Sequence, residues 1–240
     1  MTTPTRKGTD TAPVTSSRAD IDAFLNKVKS LGPAVTAGKR GRLVFALDAT
    51  MSRQPTWDTA QQLQADMFRE AASIGGLDIQ LVYFRGMGEC RASSWVANAD
   101  KLAALMSRIS CQGGHTQIGK VLSHARKEHK EQPVQALVYV GDAMEEAIDD
   151  LAAAAGELGL LGIPVFMFQE GGDPVAENAF REIARLSRGA YCRFDAGAGH
   201  QLAELLRAVA AYAAGGMKAL AALSNRQSGG ARLLLAQLRG

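Results

Sequence analysis

Five oxygen-bearing side chains, Asp48, Thr50, Ser52, Thr116 and Asp142, stand at places where strand ends and a glycine-rich loop can gather them. Asp48-Ala-Thr50-Met-Ser52 follows directly on the apolar run Leu43-Val-Phe-Ala-Leu47. Alternate residues of an extended chain project the same way, so one carboxylate and two hydroxyls can converge on one point. Such oxygens are hard ligands of the kind that Mg²⁺ or Mn²⁺ takes. Taken alone, the segment equally describes an Asp that caps the next helix, with two turn hydroxyls beside it. Gly113-Gly114-His115-Thr116-Gln-Ile118-Gly119 adds a hydroxyl in a glycine-bracketed loop, and Val134-Gln-Ala-Leu-Val-Tyr-Val140-Gly141-Asp142 is a second buried-type strand ending in a second carboxylate. A parallel sheet collects the carboxyl ends of its strands on one rim, so Asp48 and Asp142 meet there if their strands are neighbours.

The set Asp48, Thr50, Ser52, Thr116 and Asp142, in that order and in those strand and loop contexts, resembles the von Willebrand factor type A (VWA) family over about residues 40 to 215. In that family the constellation is the metal-ion-dependent adhesion site (MIDAS): Asp-x-Ser-x-Ser, a Thr in a glycine-rich loop, then an Asp after a later strand. This chain departs from the pattern with Thr50 in place of the first Ser, which keeps the hydroxyl and adds a methyl. A second departure is Ala143-Met-Glu-Glu after the last Asp, instead of a simple glycine turn.

The resemblance implies a six-stranded, doubly wound α/β sheet of Rossmann type, strand order 3-2-1-4-5-6, mostly parallel with helices on both faces. It also implies one Mg²⁺ or Mn²⁺, with Asp48 and Asp142 supplying charge, Ser52 and Thr116 as hydroxyl ligands, and Thr50 as a ligand or the holder of a bound water. A position left open at the rim takes an Asp or Glu of a partner protein. Bacterial-type members in the cytoplasm act with AAA+ ATPases or other multi-protein assemblies, so the implied role is a metal-dependent protein–protein interaction module.

The elements that must position these residues alternate along the chain. Strands are expected at 43–47, 78–84, 89–95, 134–140, 163–168 and 191–194, the third too tightly joined to the second for an intervening helix and therefore antiparallel at the edge. Apolar residues at helical spacing predict helices over 57–74, 100–109, from Ile118, from Ile148, around Phe180 and from Leu202. Such alternation calls for an α/β sheet with its site at the topological switch point. Outside this core, at 41–215, residues 1–18 are polar and read as a disordered tail. Residues 19–40 hold a short helix and a linker, and 216–240 a tail with two short apolar patches around Leu220 and Leu233.

Totals narrow the function classes. A chain of 240 residues, 47% hydrophobic and 21% charged, suits one domain with tails. A net charge of +3 and pI near 8.8 lack the basic stripe of a nucleic-acid binder, which argues against an RNA-associated module. The densest basic cluster, Lys39-Arg40-Gly-Arg42, reads as a solvated lead-in to the first strand. Cys90, Cys111 and Cys192 are few and widely spaced, as reduced cytoplasmic thiols are, and neither a secretory signal nor a membrane span is apparent.

A Mg²⁺-dependent hydrolase is the rival reading. A haloacid-dehalogenase-type phosphatase needs a second Asp at the position of Thr50, the loop 113–119 lacks the Gly-Lys-Ser/Thr ending of a phosphate loop, and the four His residues stand in no triad context. No catalytic residue is assigned. His115 is expected in solvent or a supporting hydrogen bond, and Glu145 and Glu146 at a helix start. Gln169 to Asp173, Arg85 and Glu89 are read as rim or turn residues, and Met51 and Met87 as rim contacts or, more commonly for Met, buried.

Overall fold

In the computed structural model, residues 40–55, 57, 77–194, 206–216 and 219 are described. The expected N-terminal tail and helix (1–39), nearly all of the helix at 57–74 and the C-terminal apolar patches lie outside them. The apolar runs form β1 (Gly41–Asp48), β2 (Leu77–Arg85), β3 (Glu89–Ala92), β4 (Ala136–Gly141), β5 (Val165–Glu170) and β6 (Ala190–Phe194). The helices are α1 (Ala99–Met106), α2 (Ile118–Glu131), α3 (Ile148–Leu160), α4 (Pro174–Leu186) and α5 (206–216).

The six strands make one sheet of order β3-β2-β1-β4-β5-β6, with β3 antiparallel to β2 and every other pair parallel. β1 is buried along its whole length because it is central and covered on both faces. Its odd-numbered residues Leu43, Phe45 and Leu47 pack with Val138, Val140 and Phe166 against α1 and α5; its even-numbered Val44 and Ala46 pack with Leu137, Tyr139 and Met167 against α2, α3 and α4. Period-2 alternation therefore sends one residue set to each layer. Burying each of the larger side chains stabilises the fold by about 1.5–3 kcal/mol.

Local signals close the elements. Asn98 caps α1 by accepting from Lys101 N, and Asp173 caps α4 by accepting from Val175 N and Ala176 N, with Pro174 at its first turn. The basic lead-in is solvated as expected at Arg40, which is exposed, and departs from that at Arg42. Arg40 pairs with Asp78 at 2.7 Å, while Arg42 is buried, lies 3.8 Å over the Trp95 ring and donates to Glu128, whose carboxylate also accepts from Trp95 Nε1. Its alternation places Arg42 on the inward side of β1 beneath α2, where carbonyls and a carboxylate replace water.

Candidate functional site

β1 and β4 are neighbours, with Leu47 opposite Val140, so their carboxyl ends emerge side by side where the strand order reverses. Asp48 is the last residue of β1 and fully buried; Asp142 follows β4 and is half-buried. Asp48 Oδ1 accepts from Thr50 N at 2.8 Å, and the Thr50 and Ser52 hydroxyls lie 3.1 Å apart, Thr50 buried and Ser52 exposed. The single 3₁₀ turn Met51–Arg53 then turns the chain away.

Thr116 is buried and joins the rim from the glycine loop. Its hydroxyl accepts from Glu145 N at 3.0 Å, and its own N donates to the Glu145 carboxylate at 3.0 Å, a reciprocal clamp onto the loop that follows Asp142. A parallel bridge between Thr50 and Gln112 ties the β1 loop to the start of the same glycine loop. Gly114 has no room for a side chain, since a Cβ there would stand 2.0 Å from Gly86 O. Gly141 is fixed differently: a Cβ would meet the Tyr139 hydroxyl at 2.7 Å, so the glycine makes space for the ring end beneath the rim.

The electrostatics follow from burial. Desolvation pushes the Asp48 carboxyl up to about 6, and nearby Asp142 adds to this, while Thr50 hydrogen bonds and Arg53 pull the other way. One oxygen of each carboxylate, Asp48 Oδ2 and Asp142 Oδ1, is buried with no hydrogen-bond partner. Buried anionic oxygens are costly unless paired. Two carboxylates with three hydroxyls form a hard oxygen donor set, which fits a divalent cation that keeps several waters. No group of three or more His, Cys, Asp or Glu stands together among the described residues, so a softer or carboxylate-rich metal cage is not what these residues build.

The structure supplies the partners of several residues that the sequence placed only at a rim, a turn or a helix start. Glu146 does sit at a helix N-terminus, but that of α2 and not of the helix following it: its carboxylate accepts from Ile118 N and Gly119 N. Glu145 clamps Thr116 and faces His115 Nδ1 at 3.1 Å, which accounts for His115 as a supporting, exposed neighbour. Arg53, wholly buried, pairs with Glu170 at the end of β5. Arg85 pairs with Glu89 and donates to Ser110 O, and Gln169 is buried, holding Asp173 O and accepting from Tyr191. Of these supporting side chains, Arg53 is not legible in the sequence, because nothing in its spacing marks Glu170 as its partner.

The fold built by this strand order and antiparallel edge matches that of known solved domains. The chain has the von Willebrand factor type A fold. A VWA protein from Catenulispora acidiphila aligns over 73% of this chain and 43% of its own, at 19% identity and a TM-score of 0.60. Proximal thread matrix protein 1 from the mussel byssus, solved with a zinc-occupied MIDAS motif, aligns over 74% of this chain and 48% of its own, at 14% identity and TM-score 0.59. An aerotolerance-related membrane protein from Bacteroides fragilis aligns over 69% of this chain and 98% of its own, at 19% identity and TM-score 0.54. This chain thus spans nearly all of the last of these and just under half of the other two. No family model and no curated protein matches the chain.

Proposed function

We propose that this VWA domain is a metal-dependent protein–protein interaction module, in which a divalent cation held by Asp48, Thr50, Ser52, Thr116 and Asp142 meets an Asp or Glu of a partner protein. One observation carries the reading: two carboxylate oxygens, at the ends of adjacent strands, are buried without a hydrogen-bond partner at the rim that also bears the paired Thr50 and Ser52 hydroxyls. Asp48 and Asp142 would neutralise the ion, Ser52 and Thr116 would ligate it through their hydroxyls, and Thr50 would ligate it or hold a water. Bound there, Mg²⁺ or Mn²⁺ supplies an electrophilic position for an anionic oxygen. The residues' own contribution is to hold that donor set against the sheet: the Thr50 N–Asp48 bond sets the β1 loop, and the Glu145 clamp sets the Thr116 hydroxyl.

The role proposed is binding without turnover of a small substrate, in the cytoplasm, within a multi-protein assembly such as one driven by an AAA+ ATPase. Three free cysteine thiols support a reducing setting.

Calorimetric titration of the purified chain with Mg²⁺ and Mn²⁺ tests the reading. Single-site weak binding is expected, lost in Asp48→Ala and in Asp142→Ala while circular dichroism stays that of the folded chain. Flat titrations, together with melting temperatures insensitive to millimolar metal, would overturn it, since a ligand of the native state must stabilise that state. Hydrolysis of a phosphate ester by the wild type, lost in Asp48→Ala, would replace binding by catalysis.

A further inference from the structure

Among the described residues, large exposed hydrophobics are concentrated at the two ends of the sheet. Six occur among the described residues: Met51, Met87, Ile148, Leu160, Leu161 and Val175. Met51 follows β1, Met87 follows β2, Ile148 opens α3 after β4 and Val175 lies in the first turn of α4 after β5. Since β2, β1, β4 and β5 run parallel, these four share the rim that carries Asp48 and Asp142, and only Leu160 and Leu161 lie at the opposite end.

Met87 is 82% exposed and Met51 52%. Met87 is presented by a backbone that is held firmly. Its preceding residue Gly86 accepts from His115 N at 3.3 Å and abuts Gly114; its following residue Gly88 accepts from Lys120 Nζ at 2.9 Å; Gln117 Nε2 reaches Arg85 O and Glu89 O. The β2–β3 turn is therefore bolted to the very loop that carries Thr116, and its side chain projects into water. Met51 stands between the two hydroxyl residues Thr50 and Ser52, on the loop that bridges to Gln112. Solvating two such side chains in a fixed place gains nothing for folding, whereas a polarizable, adaptable thioether suits an apolar contact with a partner.

We infer that Met51 and Met87 form an apolar shelf beside the carboxylate pair, which selects a partner segment whose Asp or Glu is flanked by apolar side chains. This builds on the metal-bridged contact proposed above. Charge complementarity sets the centre of the segment, because a cation held by Asp48 and Asp142 calls for an acid, and the shelf sets its neighbours. A carboxylate alone gives little discrimination, since every surface offers many. Burying one flanking aliphatic side chain against Met is worth about tenfold in affinity.

The test uses fluorescent nonapeptides with a central Glu flanked by Leu on both sides, or by Ser on both sides, titrated with the full chain in Mg²⁺ or in EDTA. Fluorescence anisotropy should show the Leu-flanked peptide binding at least about tenfold more tightly in Mg²⁺. Met87→Ser, and separately Met51→Ser, should erase most of that preference while calorimetric Mg²⁺ affinity stays unchanged. Equal affinity for the two peptides in Mg²⁺ overturns the shelf and leaves the metal bridge standing. Leu-flanked binding that survives EDTA, or a Leu-flanked Gln peptide that binds as well as the Glu one, overturns the bridge and the inference built on it. So does failure of both Glu peptides to bind a chain that takes up Mg²⁺.

Discussion

Arg53 Nη2 lies 2.8 Å from Glu170 Oε2, so the loop after β1 is joined to the end of β5 across the intervening strand β4. Both side chains are withdrawn from solvent, at 0% and 9% exposure. Arg53 directly follows Ser52, and its charge also acts on Asp48. The pair thus anchors the hydroxyl-bearing turn and places a positive charge beneath the carboxylates.

Breaking a buried pair from one side leaves an uncompensated charge, which costs about 3–5 kcal/mol. Arg53→Met should lower the urea-unfolding free energy by about 3 kcal/mol, and Arg53→Met combined with Glu170→Met should regain at least half of that loss. A double variant no more stable than the single one would show that the pair is not the interaction that matters at Arg53.

Asp48 gives the metal-free chain a pH dependence with a definite sign. Its folded value of about 6 lies above the unfolded value of about 3.9, so the folded state holds the proton more tightly. The resulting stabilisation is full below about pH 4 and is lost as pH rises through about 6, on the order of 3 kcal/mol in all. In EDTA, denaturation from pH 4 to pH 7 should show this fall for the wild type and not for Asp48→Asn. Added Mg²⁺ should offset the loss at pH 7 and have little effect near pH 4.5, where protons compete. Identical pH profiles for wild type and Asp48→Asn would contradict the burial argument.

Thr50 separates packing from coordination. Its side chain is buried, with Oγ1 3.1 Å from Ser52 Oγ. Thr50→Ser keeps the oxygen and should leave Mg²⁺ affinity unchanged while costing up to about 1 kcal/mol for the lost methyl. Thr50→Val keeps the shape and loses the oxygen, so affinity should fall about tenfold. Equal metal affinities for the two variants would exclude this hydroxyl from the site.

The glycine loop offers a paired control. A Cβ at Gly114 would collide with Gly86 O at 2.0 Å, whereas one at Gly113 meets nothing within 4 Å. Gly114→Ala should displace the loop, lower stability by about 2 kcal/mol and weaken Mg²⁺ binding through Thr116, two residues on. Gly113→Ala should do neither. Calorimetry and thermal melting on both variants check this, and matching effects at the two positions would refute the close-approach argument.

Apolar periodicity by itself determined the alternation of strands and helices, and the types and order of Asp48, Thr50, Ser52, Thr116 and Asp142 were enough to point at one rim. Both are local properties: side-chain direction repeats every two or 3.6 residues, so a short window carries the information. The tertiary structure alone decided that Arg42 is buried beneath α2, that Glu146 caps a helix 27 residues away in the chain, and that Arg53 reaches Glu170. It also decided that Met51 and Met87 face water, against the common tendency of Met to be buried. These depend on which loops adjoin once the sheet is wound. A charged or sulfur-bearing side chain carries no periodic signature of its partner, because that partner is supplied by strand order and not by spacing.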